Sequence, residues 1–226
     1  MVILENDYDK NYQDQLYINN GKGVFAKDTT AIPLNTTSKL CVRAVDYDKD
    51  GDLDLFVGER LKPFFYGKSA SGYLLLNDGN GKFQNKTSEL APELINIGLI
   101  KDASWADING DSRTDLVVVG EWMPIKVLVS KGGKLSMAQN NGLQETNGWW
   151  NTIQSADIDN DGDVDFIVGN HGYNSRFRAS VSQPVTMWVS DFDQNGTVEQ
   201  VICTYSGDKS YPLALDRKST RLNSSH

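Results

Sequence analysis

The chain is a succession of short apolar runs separated by polar turns that are rich in Asp, Asn and Gly. Runs such as "LFVG" (55–58), "LVVVG" (116–120) and "FIVG" (166–169) are apolar at nearly every position rather than alternately, which predicts strands buried on both faces. Runs long enough for amphipathic helices are essentially absent, and Pro92 splits the nearest one, "SELAPELINIG" (88–98). The pattern therefore predicts an all-β protein.

A glycine-rich turn recurs along the chain. The stretch "LYINNGKGVF" at 16–25 aligns with "LLLNDGNGKF" at 74–83, and a shorter relative, "VLVSKGGKL", follows at 127–135. Each consists of an apolar run, a turn of Asn, Asp, Gly and Lys, and a further apolar residue, with glycine available where φ must be positive. We predict a β-hairpin at each of the three.

An acidic stretch recurs as well, as "DYDKDGDLD" (46–54), "DINGDSRTD" (107–115) and "DIDNDGDVD" (157–165). The copies share Asp or Asn at positions 1, 3, 5 and 9, and they begin 61 and 50 residues apart. This spacing suits one four-stranded sheet per repeat, with the acidic loop in the first hairpin and the glycine-rich turn in the last. Because sheets stacked face to face around an axis bury both faces of a strand, we predict a β-propeller.

A fourth acidic stretch, "DFDQNGTVE" (191–199), begins 34 residues after the third, which is too close for another whole blade. We interpret it as the last hairpin of the fourth blade, with the opening of a new blade as the alternative. The predicted blades span about 1–35 (partial), 36–92, 98–143 and 148–215.

The sequence leads to a separate prediction for each end of the chain. Residues 2–7, "VILEND", correspond to "LFVGER" at 55–60, so we expect the chain to begin inside a blade. Residues 216–226 back-translate to a sequence that resembles a widely used sequencing adapter, and we interpret them as an artefact. Residues 1–215 are then expected to be a partial β-propeller, about four blades of a ring of about seven or eight. Such an arc should associate or aggregate through its open blade faces.

The acidic stretches predict metal sites. Carboxylates at alternate positions around a tight turn converge on one point, and oxygen ligands in that number suit Ca²⁺. An EF-hand is excluded because it needs a Glu at position 12 and flanking helices, whereas position 12 here is Val57, Val118 or Val168 within a predicted strand. Solvated hairpin tips are the alternative, but the repeated spacing disfavours them.

The predicted ligands are distributed over four loops. They are Asp46, Asp48, Asp50, Asp54 and the Asp52 carbonyl; Asp107, Asn109, Asp111, Asp115 and the Arg113 carbonyl; Asp157, Asp159, Asp161, Asp165 and the Asp163 carbonyl; and, in the fourth stretch, Asp191, Asp193, Asn195 and Glu199. The second loop is expected to bind most weakly, since Ser112 replaces glycine and Arg113 adds a cation.

The amino-acid composition disfavours some classes of binding partner. The formal net charge of −8 comes largely from the clustered Asp residues, and no basic patch is present, which disfavours nucleic acid. No apolar run approaches the roughly 20 residues of a transmembrane helix.

The motif D-x-D-x-D-G-D-x-D followed by "LFVG" or "FIVG" resembles the FG-GAP/VCBS repeats of bacterial envelope and secreted proteins, which are similar to the propellers of integrin α-subunits and of cartilage acidic protein. Residues 148–177, together with "DFDQNGTVEQVICTY" (191–205) and "YPL" (211–213), are especially similar to large VCBS-repeat proteins of Bacteroidetes-type bacteria. The chain departs from the family in lacking literal Phe-Gly and Gly-Ala-Pro sequences. The resemblance implies structural calcium on one face of the ring, a protein or carbohydrate ligand on the opposite face, and a periplasmic, cell-surface or extracellular location reached by a signal peptide upstream of these residues.

Two classes of function are compatible with these features. The first is a non-catalytic binding or scaffold propeller, and the alternative is the propeller part of a secreted enzyme such as a polysaccharide lyase or a phospholipase-like hydrolase. The sequence has no GxSxG or HExxH motif, and His171 is the one histidine outside 216–226. A hydrogen-bonded loop histidine is favoured over a catalytic base, so we predict a binding protein, not an enzyme.

A ligand surface, if the chain has one, should be formed by the loops opposite the metals, at 59–71, 120–124, 147–150 and 170–177. Its tryptophans, Trp122, Trp149 and Trp150, could stack on sugars or anchor a protein partner. The alternative, which the sequence favours, is that all three fill the space between blades.

Overall fold

A computed structural model describes residues 13–63, 65–172 and 175–213 of the chain, and the predicted strand at 2–7 and the segment 216–226 lie outside the described residues. The prediction of an all-β protein is confirmed, because the described residues form fifteen strands and only two short helical segments. No described helix has the length and apolar character needed to span a membrane.

The elements are numbered in chain order. The strands are β1 (Leu16–Asn19), β2 (Phe25–Asp28), β3 (Ser38–Val45), β4 (Asp54–Leu61), β5 (Gly72–Asn77), β6 (Phe83–Asn85), β7 (Leu99–Ala106), β8 (Asp115–Met123), β9 (Lys126–Lys131), β10 (Lys134–Met137), β11 (Gly148–Ala156), β12 (Asp165–Asn170), β13 (Thr186–Ser190), β14 (Glu199–Ser206) and β15 (Lys209–Pro212). The helical segments are α1 (Thr87–Leu90) and a 3₁₀ turn (Pro92–Leu94), divided where Pro92 was expected to break a helix.

The chain divides into two compact units, a first unit that contains β1–β12 and a second unit that contains β13–β15. In the first unit, β1 pairs with β2, and β3, β4, β5 and β6 form a four-stranded antiparallel sheet. Strands β7 to β10 repeat that order, and the end of β8 also pairs with β11, which pairs with β12. In both four-stranded sheets the acidic loop joins the first two strands and the glycine-rich turn joins the last two, as the sequence predicted.

The core explains the continuous apolar run of β8. Leu116 and Val118 belong to one buried cluster, which extends to Phe56 of the preceding sheet. Val117 and Val119 face the other way, into a second cluster with Ile153 of β11. Strand β8 is therefore buried on both faces, as the sequence predicted. Strand β12 differs, because its Ile167 is 58% exposed.

The second unit is a three-stranded sheet in the order β13, β14, β15. The acidic stretch 191–199 joins β13 to β14. The stretch thus lies in the first hairpin of its sheet, as the other acidic loops do in theirs. Both placements of the stretch, the last hairpin of a fourth blade and the opening of a new blade, stay predictions.

Candidate metal-binding loops

Four acidic loops share one backbone path. We call residues 46–54 loop 1, 107–115 loop 2, 157–165 loop 3 and 191–199 loop 4. In every loop the fourth and sixth residues have positive φ: Lys49 and Gly51, Gly110 and Ser112, Asn160 and Gly162, Gln194 and Gly196. In loop 2 the glycine occupies the fourth position instead of the sixth, and Ser112 adopts a φ of 63°. The substitution expected to weaken loop 2 therefore leaves its backbone unchanged.

The carboxylate at the ninth position closes each loop. Asp54 Oδ2 accepts a hydrogen bond from the Tyr47 N–H at 2.9 Å, and Asp165 Oδ2 accepts one from Ile158 at 3.0 Å. The corresponding acceptors are Asp115 Oδ2, at 3.2 Å from Ile108 N, and Glu199 Oε2, at 2.9 Å from Phe192 N. The longer Glu199 side chain thus performs the same task in loop 4.

In loops 1 and 2 the same carboxylate also reaches the third strand of the sheet. Asp54 Oδ1 accepts from Asn77 N at 2.9 Å, and Asp115 Oδ1 accepts from Ser130 N at 2.7 Å. Both aspartates are fully buried. The ninth residue was predicted only as a metal ligand. Its bond to the third strand gives no signal in the sequence, because the partner lies on a neighbouring strand.

The carboxylate at the first position lies beneath the turn in loops 2, 3 and 4. In loop 3, Asp157 accepts from the N–H groups of Asn160 and Gly162 at 2.8 and 3.2 Å. Asp107 accepts likewise from Ser112 N at 2.7 Å, and Asp191 from Gly196 N at 2.9 Å. These bonds draw the turn around the carboxylate.

Acidic oxygens converge in three of the loops. Ligand atoms within 4.8 Å of one another are offered by Asp46, Asp48 and Asp50; by Asp157, Asp159 and Asp165; and by Asp191, Asp193 and Glu199. Loop 2, all of whose residues are described, has no such acidic triplet, and its third residue is the amide Asn109. The other predicted ligands, including the carbonyls of Asp52, Arg113 and Asp163, lie in the same four turns and stay predictions.

The residues of loop 1 fit a cation. Asp46 Oδ1 and Asp52 Oδ1 are buried without a hydrogen-bond partner. Buried polar atoms almost always have such a partner, so two carboxylate oxygens without one in a single turn fit a bound cation. Burial, followed by the charges of Asp54 and Asp50, raises the pKa of Asp48 above its ordinary value. A hard cation such as Ca²⁺ would satisfy the oxygens and relieve this repulsion.

Loop 3 shows the same electrostatic crowding. The neighbouring carboxylate of Asp161 is the largest cause of a raised pKa at Asp163, followed by burial and by Asp165. If Ca²⁺ is bound, Asp157, Asp159 and Asp165 would hold it, and its chemistry would be structural, fixing the hairpin.

Loops 1 and 2 are neighbours in the first unit. The Lys49 ammonium donates to the Ser112 carbonyl at 2.5 Å, which joins the two turns directly. The Tyr47 hydroxyl donates to the Gly133 carbonyl at 3.2 Å, in the glycine-rich turn of the next sheet. Successive sheets therefore present these turns along one edge.

A family profile described as FG-GAP-like repeat matches residues 1–57 and 107–168, which include loops 1, 2 and 3. The chain belongs to the FG-GAP-like repeat family. Its antiparallel sheets are consistent with part of the β-propeller that FG-GAP-like repeats form, and repeats of this family are typically extracellular and generally non-enzymatic. No curated protein matches the chain.

The three predicted tryptophans lie at the ends of β8 and β11 that are opposite the acidic loops. Trp150 packs against the second core cluster, and its Nε1–H donates to the Thr146 carbonyl at 2.9 Å. Trp122 and Trp149 contact each other, with ring centroids 5.6 Å apart. His171 is half-buried after β12, whereas Phe64, Tyr173 and Asn174 lie outside the described residues.

The left-handed backbone of loop 2 leads to a prediction about stability. Ser112→Gly should raise the free energy of unfolding by about 0.5–1 kcal/mol, because a left-handed φ strains a side chain but not glycine. Urea denaturation checks this value. A destabilised Ser112→Gly variant would contradict the left-handed conformation at this position.

Proposed function

We propose that the chain is a non-catalytic, calcium-binding β-propeller module that binds a protein or a carbohydrate outside the cytoplasm. The observation that carries the proposal is the shared construction of the four loops: positive φ at the fourth and sixth residues and a ninth-position carboxylate that closes the turn. In loop 1, a cation would satisfy the buried Oδ1 atoms of Asp46 and Asp52, which have no hydrogen-bond partner.

The proposed role of calcium is mechanical. Each loop connects the first two strands of a sheet, so an ion there would hold the hairpin closed against the repulsion of its carboxylates. Strand β8 runs nine residues from loop 2 to the opposite end of the sheet. At about 3.3 Å per residue, this places the far loops roughly 26 Å from the metal loops. A ligand bound at the far loops would therefore not touch the ion.

Two further facts support an extracytoplasmic binding role. Loops of moderate calcium affinity suit extracellular modules, where the ion is plentiful. Repeats of this family are typically extracellular and generally non-enzymatic.

A substitution in loop 3 tests the metal assignment. Asp159→Ala should remove roughly one quarter to one third of the rise in melting temperature that calcium produces, because one of several loops loses a converging carboxylate. The matched control is Asp208→Ala, which removes an exposed turn carboxylate between β14 and β15, outside the acidic loops. An equal effect of calcium on both variants would contradict the assignment of loop 3.

A further inference from the structure

Three of the Asn-Gly dipeptides in the chain lie in exposed turns with the same local backbone. They are 20–21 in the hairpin between β1 and β2, 109–110 in loop 2 and 195–196 in loop 4. All six residues are exposed, and the three glycines have left-handed φ values of 79°, 73° and 89°. Because glycine has no Cβ, its backbone nitrogen can approach the side-chain amide carbon of the preceding asparagine closely.

The side-chain amide of each asparagine is held in the same way. Its Oδ1 accepts a hydrogen bond from the backbone N–H two residues later, which belongs to Lys22 at 2.9 Å, Asp111 at 2.9 Å and Thr197 at 2.8 Å. This bond fixes the amide beside the glycine nitrogen. It also places a donor on the oxygen that becomes negative when a nucleophile attacks the amide carbon.

The three turns differ in the acceptor that the glycine N–H contacts. In loop 2, Gly110 N lies 2.8 Å from Asp107 Oδ1, and in loop 4 the first-position carboxylate lies 2.9 Å from the glycine nitrogen. In the hairpin, Gly21 N donates instead to the neutral amide oxygen of Asn19, at 3.1 Å. A carboxylate at hydrogen-bond distance can take the N–H proton as a general base, whereas an amide oxygen is far less basic.

We propose that Asn109 and Asn195 are sites of spontaneous deamidation, with the first-position carboxylate of the same loop as the base. In loop 2, Asp107 takes the proton of the Gly110 N–H while that nitrogen forms a bond to Asn109 Cγ. The Cγ–Nδ2 bond breaks, the side-chain nitrogen takes up the proton and leaves as ammonia, and a cyclic imide remains. Water then opens the imide at Cγ to give aspartate, or at the backbone carbonyl to give isoaspartate.

The aspartate product changes the ligand set of each loop. Loop 2 gains a carboxylate at its third position, so that positions one, three and nine match the converging triplet of loop 3. Loop 4 gains a carboxylate at its fifth position, where loop 1 has Asp50. This consequence rests on the calcium role proposed above, whereas the reaction itself needs only the loop and water.

Mass spectrometry of the full chain tests the reaction, after incubation for several weeks at neutral pH in EGTA. Fragment spectra of the tryptic peptides 102–113 and 11–22 report the conversion of Asn109 and of Asn20 to the acid. Asn109 should convert at least about tenfold faster than Asn20, because the carboxylate base is the difference between the two turns. Equal rates at the two asparagines would overturn the proposal.

Two substitutions test the base itself. Asp107→Asn keeps the size of the side chain and an acceptor oxygen, and it should slow the conversion of Asn109 towards the rate of Asn20. Asn19→Asp is the reciprocal change, because it offers a carboxylate to the Gly21 N–H, and it should accelerate the conversion of Asn20. An unchanged rate in either variant would show that the first-position carboxylate is not the base.

The consequence for calcium is measured separately. Asn109→Asp contains the proposed product from the start, and calcium should raise its melting temperature further than that of freshly prepared wild-type chain. If Asn109 deamidates as predicted but calcium affects the two chains equally, the consequence for loop 2 is overturned and the reaction stands. Failure of the metal role and failure of the deamidation are therefore distinguishable.

Discussion

Chelation of calcium should lower the melting temperature of the chain by roughly 10 °C or more. A ligand present at 10 to 100 times its dissociation constant stabilises the folded state by about 1.4–2.7 kcal/mol per site. Loops 1, 3 and 4 each offer converging carboxylates, so together they should contribute about 4–8 kcal/mol. One kcal/mol shifts the melting temperature of a chain of this size by roughly 2–4 °C. Thermal melts in 10 mM calcium and in EGTA measure the difference.

Magnesium is the control for this experiment. It demands near-octahedral geometry and gives up its water reluctantly, so flexible loops of carboxylates should bind it poorly. We expect melts in magnesium to lie close to those in EGTA. Superimposable melts in calcium and EGTA would contradict the metal role of the loops.

Asp102→Ala should be the most destabilising single substitution in the first unit. The Asp102 side chain is buried, and its Oδ1 accepts a hydrogen bond from Arg43 of β3. Its Oδ2 accepts from Thr152 Oγ1 at 3.0 Å and from the backbone N–H of Ile153 at 3.1 Å, both in β11. One carboxylate therefore joins the first strands of three successive repeats.

Removing that carboxylate leaves a guanidinium without its charge partner and two strand donors without an acceptor. The Arg43 side chain is 42% exposed and keeps two carbonyl acceptors, so the main cost comes from the two strand donors, at about 1–3 kcal/mol for each one left unsatisfied. We expect the melting temperature to fall by roughly 10 °C, as measured by calorimetry. Asp102→Asn keeps the size of the side chain and one carbonyl acceptor, and it should lose about half as much. A loss below about 1 kcal/mol for Asp102→Ala would show that the three strands do not depend on this residue.

Much of the first unit could be predicted from periodicity. The uninterrupted apolar run of β8 requires a partner on each face, and the two core clusters provide them. The alternation of acidic loop and glycine-rich turn also gave the strand order within a sheet. Local sequence patterns are sufficient to predict this strand order, because each hairpin is formed by residues that are close together in the sequence.

The metal loops were predictable in position but not in detail. Lys49, Asn160 and Gln194 adopt left-handed φ at the fourth position, and none of them is the glycine that would signal it. The second bond of Asp54, to Asn77, depends on the pairing of β4 with β5 rather than on the loop itself. Such contacts arise only after the sheet has formed.

Asp102 and Trp122 could not be placed from the sequence for a second reason. Both lie within or beside register shifts, where β7 pairs with β8 and where β8 pairs with β11. A bulge changes which face a residue occupies, so a period of two cannot place the residues beside it. The signal available for Asp102 was a single carboxylate within the predicted strand "LIKDASWA".

The most direct test of the calcium account is anomalous diffraction from crystals of the chain grown with calcium. We predict ion peaks at 2.3–2.6 Å from carboxylate oxygens of Asp48, Asp159 and Asp193, with a weaker peak or none in loop 2. The ion at loop 1 should also contact the orphaned Oδ1 of Asp46. Acidic loops that show only water at these positions, in crystals soaked at millimolar calcium, would contradict the account.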